Sequence, residues 1–443
     1  MDRRQFLRGM GFLSAATALS QLSIVNAQAD ASDDYKALVC VFLFGGNDGN
    51  NMIVPVDARY DSYAALRGSL ALASDKLVQL PDVNGATEYG MHSALSGLKG
   101  AWNNGHLAVL LNSGPLVRPI TRAEVLANIA RPFELFSHSG QQRTWQVAAK
   151  TSEARGWGGR IADEVNSMNA GATTPTSIAI AGASAFSVAN SGALVLPTSG
   201  GLNLRGTDSS AASRARAAAL DQMLATDKNF ELVSAAQEVT AGSLQRRAAV
   251  NGIVNTTSTT VKSAFAGLSS TVAKQMQTIA KLVEGHQELG VRRQVFFVGL
   301  GGFDTHSGQL STQNTLLGQL GGAVKAFYDA TVAMGMADKV TTFTLSDFAR
   351  TMRANSVGGT DHAWGNHHLI VGGAVRGKAF YGEYPQLIAG GPDDAGSDGR
   401  WIPTTSVDQY AATLARWFGV ADERLEALFP LMKNFAARDL GFF

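Results

Sequence analysis

The chain has 443 residues, 45% hydrophobic and 16% charged, which allows a large core and excludes a disordered polymer. Its formal net charge of +1 leaves no electrostatic footprint for nucleic acid. A single cysteine, Cys40, excludes an intramolecular disulfide and any multi-cysteine zinc site, and its place in an apolar run reads as a buried, inert thiol.

The first element in chain order is a leader. "MDRRQFLRGMGFLSAATALSQLSIVNAQA" opens with Arg3 and Arg4, continues through Phe6 and Leu7 into a short apolar stretch, and ends in Ala27-Gln28-Ala29. A charged start, an apolar middle and an A-x-A close mark a signal peptide over residues 1–29. The paired arginines assign it to the twin-arginine translocase, which gives a periplasmic or extracellular protein. Cleavage before Asp30 removes one acid and three arginines, taking the net charge from +1 to −1. That route carries folded proteins, often with a cofactor already loaded. No later segment is long and apolar enough to span a bilayer, so no stable membrane insertion is expected after cleavage.

Residues 30–443 read as one α/β domain. Short runs rich in β-branched and aromatic residues lie at 38–44 (LVCVFLF), 107–111 (LAVLL), 177–181 (SIAIA), 295–300 (VFFVGL) and 340–345 (VTTFTL). Runs apolar on both faces predict strands of a buried, mostly parallel sheet. Between them, Val272, Met276, Ile279 and Val283 recur at helical spacing, as do Leu317, Leu320, Val324 and Phe327. Strands alternating with amphipathic helices predict a parallel sheet flanked by helices on both faces. The Ala-, Gln- and Ser-rich stretch at about 209–290 holds no convincing strand and predicts a helical insertion.

Three polar motifs each follow a predicted strand: "GGNDGNN" (45–51), "GGFDTHSGQ" (301–309) and "SDFART" (346–351). Ligands of open parallel sheets bind beyond the carboxyl ends of the strands. If the strands are neighbours, Asp48, Asp304 and Asp347 converge there, and a cation is the usual remedy for their repulsion. Alone, each Asp would read as a turn or cap residue. Histidines cluster in similar contexts: His306 beside Asp304, His362, His367 and His368 in "GTDHAWGNHH" (359–368), and His138 in "FSHSGQQRTWQ" (136–146). Imidazole with carboxylate suits zinc, manganese or iron, whereas carboxylates alone would favour calcium or magnesium. His367 and His368 cannot both face inward from an extended segment, and His367 is favoured. Ser137 is either a helix N-cap or a nucleophile assisted by metal and helix dipole. His138 is a catalytic group or a ligand, and Arg143 or Arg350 could grip an anion through two N–H bonds.

Taken together, the twin-arginine start, "VFLFGGNDGNNMIVP", "SHSGQQRTWQ", "GGFDTHSGQ", "SDFART" and "GTDHAWGNHHLIVGG" resemble the exported proteins grouped as domain-of-unknown-function family 1501. That family is considered a distant member of the alkaline phosphatase and sulfatase superfamily. The resemblance implies an alkaline phosphatase-like fold and a set of roles: Asp48 as the first metal ligand, Ser137 as the counterpart of the nucleophile, and Asp304 with His306 as a ligand pair. Asp347 comes next, with His362 or His367 closing the set. Where the superfamily has Asp-His, this chain has Asp347-Phe348, so one histidine ligand is missing. The expected function is an exported, metal-dependent hydrolase acting on an anionic small-molecule or polymer ester of phosphate or sulfate. The alternative is a non-catalytic binding or assembly protein on the same fold; a third reading, a redox metalloprotein, follows from the export route.

Overall fold

Strand β1 (Lys36–Leu43) forms the middle of the main sheet because both of its faces are apolar. Val39, Val41 and Leu43 pack into one core layer, and Leu38, Cys40 and Phe42 into the other, as the two-residue period of a strand requires. The computed structural model describes residues 34–148, 154–180, 182–202, 210–225 and 231–443. The expected signal peptide and its cleavage site lie outside these residues.

On one side β1 pairs in parallel with β8 (Arg293–Leu300), Leu38 opposite Val295, and on the other with β9 (Val340–Ser346), Leu38 opposite Thr341. Beyond β8 lie β6 (Ser177–Ala179) and β7 (Ala193–Val195), both parallel to it. Beyond β9 comes β10 (Asn366–Val371), antiparallel to both of its neighbours, then β5 (Leu107–Gly114) and β11 (Ala379–Tyr381), with β12 (Thr405–Ser406) also on β5. The sheet is therefore mixed but mostly parallel. A small antiparallel sheet joins β2 (Ile53–Pro55), β4 (Tyr89–Met91) and β3 (Val78–Leu80).

Helices cover both faces, as expected. Thr271–Glu284 and Gln309–Ala333 pack on one, burying all eight apolar positions read from the sequence. Trp157–Glu164 and Val407–Phe418 cover the other. Each fully buried large apolar side chain stabilises the fold by roughly 1.5–3 kcal/mol. Ser270 fixes the start of Thr271–Glu284 by accepting a hydrogen bond from Ala273 N at 3.3 Å. Within the expected insertion the described residues hold the helices Ala211–Ala225, Glu231–Val254, Thr259–Ala264 and Thr271–Glu284 and no strand. Glu231–Val254 reaches the core at its C-terminal end, where Val250, Ile253 and Val254 are buried. Among the described residues no helix is long and apolar enough to cross a membrane.

The order β9-β1-β8 decides where function can sit. Three adjacent parallel strands end at one sheet edge, and the three Asp-bearing motifs leave from those ends.

Candidate metal centre

Tight backbone packing brings the three exits together. Gly45, just beyond β1, has φ +110°, and a Cβ there would lie 2.4 Å from Asp304 N. Only glycine lets these two loops touch. Gly302, with φ +105°, then turns the chain after β8 and delivers Asp304. From β9, Asp347 points into the interior, and its Oδ2 accepts from Gly45 N at 3.2 Å. Residues 349–351 pair with 361–363 through Thr351 N to Asp361 O at 2.9 Å and Ala363 N to Ala349 O at 2.8 Å. That pairing sets His362 beside Arg350.

Around Asp304 the imidazole nitrogens converge. His306 Nε2 lies 3.1 Å and His362 Nε2 3.3 Å from Asp304 Oδ1, and His138 Nε2 lies 3.4 Å from Oδ2. The two nitrogens His306 Nε2 and His362 Nε2 face each other at 3.1 Å. Among the described residues, His138, Asp304 and His362 form a group whose ligand atoms all lie within 4.8 Å of one another. His306 adds a fourth donor on the more exposed side.

The opposite ring nitrogens are each held from outside. His138 Nδ1 meets Asp347 Oδ2 at 2.7 Å, His362 Nδ1 meets Phe136 O at 2.9 Å, and His306 Nδ1 meets Asp361 Oδ1 at 3.3 Å. A carbonyl oxygen can only accept, so the proton of His362 sits on Nδ1. Asp347 Oδ2 already receives the N–H of Gly45 and, at 2.8 Å, that of Gln142 Nε2, so the His138 proton also belongs on Nδ1. Each Nε2 then presents a lone pair to the same small volume. Metal-binding histidines are built this way, the second nitrogen donating to a carboxylate or carbonyl.

The electrostatics agree with a cation site. Burial acts to raise the Asp304 pKa, but Arg350 first, then His138, His306 and His362, outweigh it and leave the carboxyl below its ordinary value. Burial pushes His362 down from the usual imidazole value, favouring its neutral, ligating form. Burial raises Asp347, opposed by its hydrogen bonds from Gln142 and His138. His138 Nε2 is buried and has no hydrogen-bond partner. The three nitrogens lie 3.1–3.4 Å from the Asp304 carboxylate oxygens, and the ligand atoms of His138, Asp304 and His362 span up to 4.8 Å, close enough to draw in around one ion at about 2.0–2.1 Å. Unprotonated nitrogens 3.1 Å apart repel unless a cation or proton lies between them, so the residues fit a divalent ion.

Other residues shape the centre. Arg350 is fully buried and spends its guanidinium on the protein: 2.7 and 3.1 Å to Asp304 Oδ1, 3.2 Å to Gly45 O and 3.1 Å to Thr360 Oγ1. Burial lowers its pKa to about 10, so it stays charged at neutral pH. Phe348 stacks against His362 (centroids 4.5 Å apart) and lies tilted beside His138 (4.8 Å). A cavity of about 390 Å³ opens beside the group, lined by Phe136, His306, Asp361, His362, Ala395 and Arg400.

Several expectations change. Asp48 does not join the group: it is buried, caps the turn Gly49–Met52 by accepting from Asn50 N at 3.1 Å, and pairs with Arg67 and Gln309. A full positive charge, buried beside it, satisfies the carboxylate that was expected to need a metal. Asp347 contacts His138 and orients it instead of facing the converging nitrogens. His367 lies on the wrong face of β10; its Nδ1 accepts from Asn112 N at 3.0 Å, its ring stacks on Tyr384, and burial lowers its pKa to about 3. His368 points to the opposite face and packs on Trp145. Ser137 caps the helix His138–Val147, its Oγ accepting from Gly140 N at 3.4 Å and meeting Ser139 Oγ at 3.1 Å. Arg350 holds Asp304 and is not open to an anion. His138, expected as a catalytic group or a ligand, turns its Nε2 toward Asp304 Oδ2 at 3.4 Å. Sequence reasoning passed over Asp361, Gln142 and Arg400; Asp361 had a signal, standing next to His362 in "GTDHAWGNHH".

Comparison with known proteins places the chain. Crystal structures of Ps i-CgsB, one of them in complex with k-i-k-neocarrahexaose, cover 90% of this chain and 77% of their own at 10% identity. Their TM-scores are 0.32 for the complex and 0.35 for the protein without it, too low to carry an argument about the site. No curated protein matches. The sequence profile described as "Protein of unknown function (DUF1501)" matches residues 35–394, a span that takes in Asp304, Asp347 and all three converging histidines, and the chain belongs to that family.

Proposed function

We propose that the Asp304 centre binds one divalent metal and that the protein is a metal-dependent hydrolase of phosphate or sulfate esters. One observation carries the reading: three histidines, each anchored through Nδ1, turn Nε2 toward one carboxylate. Nitrogen-rich donors favour zinc, manganese or iron over calcium and magnesium. A bound divalent ion supplies a Lewis acid that polarises an ester oxygen and lowers the pKa of water.

The chain's own groups do the rest. Arg350 fixes the Asp304 carboxylate, and Asp347 fixes the ring of His138. Arg400 stands on the cavity wall over the Phe136 ring at 5.6 Å, its Nε donating to His362 O at 3.0 Å and its Nη1 to Asp398 Oδ2 at 3.1 Å; what Asp398 leaves of its charge favours an anionic ester. With Ser137 engaged as a cap, water is the nucleophile and no serine ester forms.

A second reading, a non-catalytic metal-binding protein, draws on the same geometry, because Ser137 and Arg350 are both engaged within the protein. Turnover of 4-nitrophenyl phosphate and 4-nitrophenyl sulfate by zinc- or manganese-loaded protein separates the two. The hydrolase reading expects turnover that Asp304→Ala reduces by at least about a hundredfold. Metal bound with no turnover of either ester leaves the second reading.

A further inference from the structure

The segment from residue 128 to residue 136 is held in an unusual backbone shape. Asn128, Ala130, Glu134 and Phe136 have φ of +58°, +51°, +50° and +71°. A residue with a Cβ is destabilised by about 1–2 kcal/mol in that left-handed region, asparagine by less. Such strain persists where the surrounding structure imposes it, and it collects at ligand clamps. Here Ile129 N donates to Glu124 O at 2.8 Å and Ser137 N to Glu134 O at 3.1 Å. Gly140 lets the turn close, since an added Cβ there would lie 2.2 Å from Glu134 Cβ.

This strained segment walls one side of a cavity of about 250 Å³, away from the metal centre. Leu116, Pro132, Phe133 and Leu431 make the lining mostly apolar. A dry cavity of about 150 Å³ admits benzene, so this one has room for a phenyl ring with a short tail. Three residues with polar side chains line it: Arg131, Thr144 and Asp408. The Thr144 hydroxyl donates to Gly140 O at 2.8 Å. Asp408 is 2% exposed, with its Oδ1 buried, so it offers an entering molecule no contact. Burial also raises the Asp408 pKa to about 7, which reduces its repulsion of an anion. Arg131 differs from both. It is half-buried, and among the described residues it has no ion pair or hydrogen bond. Its guanidinium is an open fork that matches a carboxylate through two N–H bonds. Apolar pockets with a polar group that fixes orientation are where small ligands bind.

We propose that this cavity binds a small carboxylate with an apolar body, the body against Leu116 and Phe133 and the carboxylate paired with Arg131. Arg131 and Phe133 stand on the same strained segment, so the clamp is set before the ligand arrives.

Calorimetric titration of the metal-free whole chain at pH 7 with phenylacetate and its neutral near-isostere phenylacetamide tests this. Phenylacetate should bind at least about tenfold more tightly, because a charge-assisted pair with Arg131 exceeds a neutral hydrogen bond. Acetate, which has the charge without the ring, should bind at least about tenfold more weakly than phenylacetate. Arg131→Gln should bring phenylacetate and phenylacetamide within about twofold of each other. Saturating zinc should leave the affinity for phenylacetate within about threefold, which separates this cavity from the metal centre. No binding of phenylacetate at about 10 mM, equal affinity for phenylacetate and phenylacetamide, or acetate binding as tightly as phenylacetate would each overturn the proposal. So would a preference that survives Arg131→Gln, or binding that appears only with zinc present. The comparison of probes on the unmodified chain stands even if the variant fails to fold.

Discussion

Asp304 and Asp347 both touch His138, from opposite ring nitrogens, and that division of labour defines the centre. Asp304 shares the converging volume, while Asp347, fully buried, sets the tautomer and angle of the ring. Replacing such an outer carboxylate lowers metal affinity by about 10–100-fold without removing a ligand. Asp347→Asn should therefore raise the zinc dissociation constant by that factor in a chelator-competition titration, and an unchanged constant would show that Asp347 has no orienting role. Asp48 should behave differently. Its loss strands Arg67, whose pKa burial already lowers to about 9 and whose Nη1 donates to Thr351 O at 2.9 Å. Removing one partner of a buried ion pair costs about 3–5 kcal/mol. Asp48→Ala should show that loss in urea unfolding while binding zinc as the wild type does. In the sequence the Gly-Gly-x-Asp turns of Asp48 and Asp304 look alike; what separates them is Arg67, nineteen positions beyond Asp48 in a different helix, and no local pattern announces such a partner.

Among the elements, those with a strong apolar period were legible. Strands β1, β8 and β9 lie within one or two residues of their predicted bounds, and the helices Thr271–Glu284 and Gln309–Ala333 carry the apolar positions read at helical spacing. Strand β10 was not, because it opens on Asn366, His367 and His368, polar residues that the interior accepts through Asn112, Tyr384 and Trp145. Placing the inward face of that extended segment at the site is what made His367 a candidate ligand. The helix His138–Val147 shows the converse: its start was legible, but whether Ser137 caps or attacks depends on contacts that only the fold provides. A cap predicts that Ser137→Ala costs about 1 kcal/mol of stability and leaves ester turnover within about threefold. A loss of turnover by several orders of magnitude would restore the serine as nucleophile.

At the scale of the whole molecule, the centre follows from topology. Parallel strands β9, β1 and β8 end side by side, so motifs separated by more than two hundred residues meet at one edge. Onto that edge the loop after β9 brings His362, and the start of the helix His138–Val147 brings His138. The mostly parallel sheet was legible from its buried runs; the assembly of the ligand set was legible only in part, because it depends on which loop faces which. One metal ion is proposed to sit at this edge, held through His138, Asp304, His306 and His362. The most direct test is the metal-to-protein ratio, by mass spectrometry, of chain purified without chelator and dialysed against zinc, compared with His362→Ala treated alike and checked for folding by circular dichroism. A ratio near one is expected for the wild type, with most of that metal lost in the folded variant. A wild type that retains no metal, or a folded variant that retains as much, would contradict it.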